Sequence, residues 1–171
     1  MNQARSMKQA AGRLTVRDSR DDDAAGLIEL LGGCFSEYPG CVLDVDGEMP
    51  QLRAIASTFA EHGGRFWTAE LDGTIVACVG IAPVDPSGAE LKHLYVAKSA
   101  RRMGLGTSFV NIVEAEARAR GATFVEMWSD TRFSDAHRLY ERLGYVRSSK
   151  TRELHDLSNS VEYHFSKKLE M

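Results

Sequence analysis

Apolar and polar residues alternate in "RLTVRDS", with Leu14 and Val16 facing one way and Arg13, Thr15 and Arg17 the other, which predicts a short strand with one buried face. Asp21, Asp22 and Asp23 then supply an N-cap and first-turn negative charge for a helix, "AAGLIELL", expected to stop at Gly32-Gly33. Turn signals at Pro39-Gly40 and Asp46-Gly47 mark an irregular segment. Pro50 suits the first turn of a second helix, whose Leu52, Ile55, Ala56 and Phe59 make one apolar stripe that ends at His62-Gly63-Gly64. "RFWTAEL" and "TIVACVGIA" flank Asp72-Gly73, a two-residue hairpin signal, and a second turn at Asp85-Pro86-Ser87-Gly88 leads into "AELKHLYV". Three consecutive antiparallel strands are therefore expected.

The next helical pattern, "LGTSFVNIVEAEARARG", places Leu105, Phe109, Ile112 and Val113 on one face, with Glu114, Glu116, Arg118 and Arg120 mostly outside it. "TFVEMW" follows a helix and can run parallel to the strand before it. A helix carrying Phe133, Ala136, Leu139, Tyr140 and Leu143 stops at Gly144, and two strands with Val161, Tyr163 and Phe165 turned inward close the sheet. Residues 1–11 show no periodicity and read as a flexible N-terminal tail, leaving 12–171 as a single domain.

The loop joining "AELKHLYV" to its helix has glycines at Gly104 and Gly106, so backbone N–H groups and the positive end of the helix can converge on an anion. It lacks the Gly-Lys-Ser/Thr of a Walker A loop. A dinucleotide fingerprint fits Gly104 and Gly106, with Glu126 available as a ribose carboxylate, but Phe109 stands where a third glycine should allow close packing. Antiparallel strands leading into the loop also oppose a doubly wound fold, which needs helical crossovers between parallel strands.

Composition narrows the classes. A chain of 171 residues, 43% hydrophobic and 26% charged, is the size of one self-sufficient globular domain. Its net charge of −3 gives no basic excess for a nucleic-acid partner. Cys34, Cys41 and Cys78 are odd in number and lack C-x-x-C spacing, which fits reduced thiols and a cytoplasmic setting. No stretch reaches the roughly 18 apolar residues of a membrane span, and the five histidines form no local metal motif.

Arg101-Arg102-Met103-Gly104-Leu105-Gly106, preceded by "LYV", resembles the Q/R-x-x-G-x-G/A motif of the GNAT superfamily of CoA-dependent N-acetyltransferases. "AHRLYERLGY", from Ala136 to Tyr145, resembles the family's second motif, A-x-x-L-Y-x-x-x-G-F/Y. The resemblance covers roughly residues 13–169 and implies an α/β (α+β mixed) domain: a central, mostly antiparallel mixed sheet of about seven strands flanked by about four helices. Two neighbouring strands should splay apart to admit a thioester. Acetyl-CoA is the implied cosubstrate, with its pantetheine arm along the backbone of Leu94, Tyr95 and Val96. Its pyrophosphate would sit over Arg101 to Thr107, including Arg102, Met103, Gly104, Leu105 and Gly106. Many members dimerise, so a homodimer is possible, although no residue pattern here specifies one.

Acetyl transfer to an amine needs a neutral nucleophile, a polarised carbonyl and a proton for the departing thiolate. A lysine-like amine of pKa ~10.4 is only about 0.04% neutral at pH 7, so a base or a desolvating pocket must help. Glu90, eleven residues before Arg101, matches the spacing of the basic glutamate in histone-acetylating relatives. His93 has the better intrinsic pKa but falls on the opposite side of a regular strand from Glu90, unless a bulge intervenes. Tyr140 occupies the motif position that points at the thioester sulfur, and is the candidate general acid. The place where many members carry a CoA-contacting asparagine is Phe133, with Ser129, Thr131 and Ser134 as substitutes. Helices before Arg65 would wall the acceptor site, with Glu37, Asp44, Asp46 and Glu48 drawing in a cationic small-molecule amine. A GNAT-like domain that binds acyl-CoA without turnover is the alternative.

Overall fold

The computed structural model describes residues 12–170, so the expected tail over 1–11 lies outside the described residues. In chain order the elements are β1 (Leu14–Asp18), α1 (Ala24–Phe35), α2 (Val45–Glu48), α3 (Ile55–Glu61), β2 (Arg65–Leu71), β3 (Thr74–Val84) and β4 (Gly88–Val96). They continue with α4 (Leu105–Ala119), β5 (Phe124–Asp130), α5 (Ser134–Arg142), β6 (Val146–Glu153) and β7 (Val161–Lys168). One sheet holds all seven strands in the order β1-β2-β3-β4-β5-β7-β6. Every neighbouring pair is antiparallel except β4 and β5, as the helical crossover between them requires.

The β2–β3 hairpin turns at Asp72 and Gly73, both at positive φ (52° and 83°), which is the twist a two-residue turn needs to match its strands. On β3, Cys78 joins a core with Leu27, Leu31, Leu52 and Ile55, whereas its neighbours Ala77 and Val79 join the core of Phe109, Val113 and Phe165. Successive strand residues point to opposite faces, so α1 and α3 cover one side of the sheet and α4 the other.

Several local expectations are corrected. α1 does not stop at Gly32-Gly33 but continues to Phe35, because Cys34 extends the buried stripe of Leu27, Leu30 and Leu31 by another turn. Ser36 then ends it, its N–H donating to the Gly32 carbonyl at 3.0 Å and its hydroxyl to Gly33 at 2.7 Å. The Leu14/Val16 face of this edge strand is exposed, and the half-buried side chain of β1 is Arg17, tied to Asp23 at 2.7 Å. The second helix is a 3-10 turn over Pro50–Ala54 followed by α3, broken where Ala54 leaves helical geometry. With the one-turn α2, the described residues hold five α-helices where about four were expected. Glu114 is buried inside α4's packed face, because Tyr145 and Lys167 reach it at 3.0 and 2.9 Å.

Candidate active site

The parallel strands β4 and β5 pair only from Gly88 to Glu90 against Phe124 to Glu126, and part beyond that point. Gly88 makes the close part of the contact possible, since a Cβ there would lie 2.1 Å from the Phe124 ring. On its other edge β4 carries a bulge: Cys78 pairs with Tyr95 and Gly80 with Lys92, so β4 has one residue more than β3. His93 absorbs it at φ +54°, and the Cys78 thiol donates to the His93 carbonyl at 3.2 Å. His93 and Leu94 are left without β3 partners in register, and on the opposite edge β4 has no β5 partner beyond Glu90, so its backbone there is available to a ligand.

The bulge corrects the placement of Glu90 and His93 on opposite sides, because both line one cavity of about 490 Å³. Glu90 makes no ion pair or hydrogen bond among the described residues, and burial pushes its carboxyl above the usual range. His93, ringed by Phe59, Phe66 and Tyr95 at centroid distances of 6.2–6.5 Å, is pushed down to about 4 by burial and then by Lys92.

A second cavity, of about 300 Å³, runs from the end of β4 over the glycine loop to α5. Tyr95 and Phe133 line both cavities and mark where they meet. Gly104 sits at φ +75° as the residue before α4, and Arg102 is also left-handed at φ +69°. The N–H groups of Leu105, Gly106 and Thr107, in the first turn of α4, have no partner among the described residues. A Cβ on Gly106 would lie 2.9 Å from Leu139, so this glycine lets α4 start close to α5. These features fit a ligand carrying phosphate: free donors, a helix dipole and an open approach.

Of the residues expected to hold a cofactor, all but Met103 line this second cavity. Met103 is 46% exposed, outside it. Arg101 is spent on Glu37 at 2.6 Å, and that bond holds the Glu37 carboxyl below its ordinary value. Arg102 and Arg142 make no ion pair among the described residues; Arg142, which no motif marked, also lines the cavity. Phe133 packs on Tyr38 at 4.8 Å and makes an aromatic wall at the motif position where many relatives carry an asparagine. None of its suggested substitutes lines the cavity, and Ser129 is buried against His137 at 3.1 Å. Cys34 reaches the cavity as a thiol whose pKa burial pushes up, so it is not an activated nucleophile.

Tyr140 is buried between Tyr145 and Phe165, at centroid distances of 6.2 and 5.6 Å, and lines neither cavity. Burial pushes its phenol well above the ordinary value. Of the four carboxylates expected to attract an amine, only Glu48 reaches the larger cavity. Glu37 is paired with Arg101, Asp44 caps α2 through the Gly47 N–H at 3.0 Å, and Asp46 pairs with Arg53 at 2.8 Å. The acidity comes instead from Glu90, Asp130, Asp156 and Glu162, which fall on strands and a loop whose convergence is a product of topology. Among the described residues, no group of three or more His, Cys, Asp or Glu side chains could hold a metal ion, and no helix is long and apolar enough to cross a membrane.

A profile of the Acetyltransferase (GNAT) family matches residues 14–145, which spans both glycine-loop and tyrosine motifs. The chain belongs to the GNAT family. The mouse protein named Probable N-acetyltransferase family 8 member 5 is 31% identical over 134 residues, which are 75% of this chain. The GNAT domain here spans 57% of that relative's length. Among solved structures, a GNAT acetyltransferase from Staphylococcus aureus Mu50 superposes with a TM-score of 0.79 at 19% identity, covering 92% of this chain and all of that one. The yncA structure from Salmonella typhimurium, solved with its cofactor acetyl-CoA, gives 0.68 at 16% identity over 92% of this chain and 94% of that one. The parted β4 and β5, the glycine loop and the helix beyond them thus lie within the fold these GNAT structures share.

Proposed function

We propose that the protein is an N-acetyltransferase that moves an acetyl group from acetyl-CoA to a small-molecule primary amine by direct attack in a ternary complex. The observation that carries this reading is the meeting of two cavities at Tyr95 and Phe133, where β4 and β5 part. One has anion-binding backbone and Arg102 and Arg142; the other has an unpaired carboxylate and an acidic lining. The cofactor supplies a thioester. The free N–H groups of Leu105 to Thr107 and Arg102 hold its phosphates, and the backbone of Leu94 to Val96 lies alongside its arm.

Glu90 takes the proton of the attacking amine, directly or through one water, so that the nitrogen bonds to the carbonyl carbon as the carbon–sulfur bond breaks. Its raised pKa brings a carboxylate closer to the task, and the nearby acidic groups attract the protonated amine. His93 is the second candidate base, and its depressed pKa makes it the weaker one. Tyr140 returns a proton to the thiolate; burial keeps its phenol protonated but also makes it a weaker acid, so the transfer needs the sulfur within hydrogen-bond reach. No enzyme-bound acyl group is needed, since Cys34 and Cys78 are both pushed towards the inert thiol. The three free cysteines support a reducing, cytoplasmic setting.

One observation favours the second reading, a domain that binds acyl-CoA without turnover: the Tyr140 ring is enclosed by Tyr145 and Phe165 rather than facing either cavity. A thiol-release assay with acetyl-CoA over a panel of amines separates the two. Turnover supports the enzyme, and tight acetyl-CoA binding without release from any amine supports the sensor.

A further inference from the structure

The acceptor cavity is acidic by composition, and two of its carboxylates are already ion-paired. Glu162 is paired with Arg152 at 2.7 Å, and Arg152 also lies over the Trp128 ring at 4.4 Å. Asp130 is paired with Arg132 at 2.7 Å. Asp156 accepts the Ser160 N–H at 2.7 Å and Glu48 that of Leu157 at 2.7 Å, so both are held in place while keeping the negative charge that draws in an amine. Glu90 and Lys92 are the charged lining groups with neither an ion pair nor a hydrogen bond among the described residues, and they stand two residues apart on β4 and so on the same face of the strand. A carboxylate and an ammonium this close, both unspent, in one cavity, are complementary to a ligand that carries an amine and an acid together.

The walls add two constraints. The Val42 N–H donates to the Ser158 hydroxyl at 2.8 Å, and that hydroxyl donates back to the Val42 carbonyl at 3.2 Å. With the Glu48–Leu157 bond, this clasps the segment after α1 to the β6–β7 loop, and both segments line the cavity. A cavity of about 490 Å³ bounded in this way suits a small molecule better than a side chain on a folded protein. Phe35, Met49, Trp128 and Leu154 supply apolar surface beside the charged pair.

Building on the acetyltransferase reading, we infer that the acceptor is a free amino acid with an apolar side chain, its amino group at Glu90 and its carboxylate at Lys92. A substrate with two positive charges would set its second cation against Lys92 and leave that ammonium unpaired. An acid-bearing amine instead satisfies both β4 side chains at once, through charge-assisted hydrogen bonds. Lys92 is thus a specificity-determining residue, and the other charges of the cavity hold its walls.

The test uses matched acceptors: phenylalanine, methionine, phenylalaninamide and phenethylamine, with spermidine as the dicationic control. kcat/KM is measured for each by thiol release from acetyl-CoA, and acetyl-CoA binding is measured separately by calorimetry. The expected result is a preference of about tenfold or more for the acids over the amide and the decarboxylated amine. Lys92→Met should collapse that preference through KM, and Lys92→Arg should restore part of it. Circular dichroism and acetyl-CoA affinity of the variants separate this from misfolding. Turnover that is equal for acid and amide, or best for spermidine, overturns the inference and leaves the acetyltransferase reading standing. Acetyl-CoA binding with no turnover of any acceptor overturns both.

Discussion

The Arg101 guanidinium grips the Glu37 carboxylate through both terminal nitrogens, at 2.6 and 2.5 Å, and so ties the segment after α1 to the loop that opens α4. The first arginine of the glycine motif is therefore a structural clamp, and Arg102 and Arg142 are the lining arginines with no ion pair among the described residues, Arg102 being the one proposed to meet phosphate. Arg102→Ala should weaken acetyl-CoA binding by about tenfold, the effect of losing one charge-assisted contact. Glu37→Gln should change that affinity less and lower stability by about 1 kcal/mol, as expected for a bidentate but part-exposed pair. Titration calorimetry and thermal melts check the two. The Glu37 pKa lies below its unfolded value, so the pair's contribution is present at neutral pH and fades as pH falls through the folded pKa.

The contact that lets β4 and β5 meet before they part rests on a missing side chain. A Cβ at Gly88 would lie 2.1 Å from the Phe124 ring, an aromatic that cannot withdraw as a flexible tip can. Gly88→Ala should cost about 2 kcal/mol, by the usual penalty for overpacking, and lower the melting temperature by about 4–8 °C.

Glu90 makes a pH prediction with a definite sign. The reactive form of a base is deprotonated, so kcat/KM should rise with pH through a limb placed above the ordinary carboxylate value of ~4.3. Glu90→Gln should remove that limb and slow the reaction by about 10²–10³. A limb near 4 that survives in Glu90→Gln and disappears in His93→Gln would transfer the role to His93, whose pKa is about 4. A folded pKa raised above the unfolded one also means that Glu90 costs stability as pH rises past it. Glu90→Gln should therefore melt higher than the parent at pH 7 and match it at low pH.

Tyr140 separates chemistry from binding. Tyr140→Phe keeps the ring that packs on Tyr145 and Phe165 and removes only the hydroxyl. It should lower kcat by about 10²–10³ and leave acetyl-CoA affinity nearly unchanged. An unaltered kcat would sink the general-acid role and turn attention to Tyr95, which lines both cavities and whose phenol is likewise pushed up by burial.

The β2–β3 hairpin, the glycine loop and the α4 and α5 helices were legible because each depends on local chemistry: Asp72-Gly73 fixes its own turn, and Gly104 its own positive φ. Misreadings arose where a distant partner decides. Glu114 looks like a surface residue of α4 until Lys167, 53 residues on, pairs with it. Gly32-Gly33 looks like a stop until the burial of Cys34 shows what carries α1 past it. The acidic segment before α3 spends Asp44 and Asp46 on its own neighbours, while the cavity draws Asp130, Asp156 and Glu162 from the far end of the chain. The bulge at His93 has no local sequence mark, yet it brings Glu90 and His93 into one cavity.

The most direct test of the central claim is a calorimetric titration of the protein with acetyl-CoA, with NADH titrated in parallel as a control for generic nucleotide binding. Micromolar binding of acetyl-CoA with no heat from NADH is the predicted result. No binding of acetyl-CoA would make the Gly104–Gly106 loop a structural turn and contradict the acetyl-transfer account built on it.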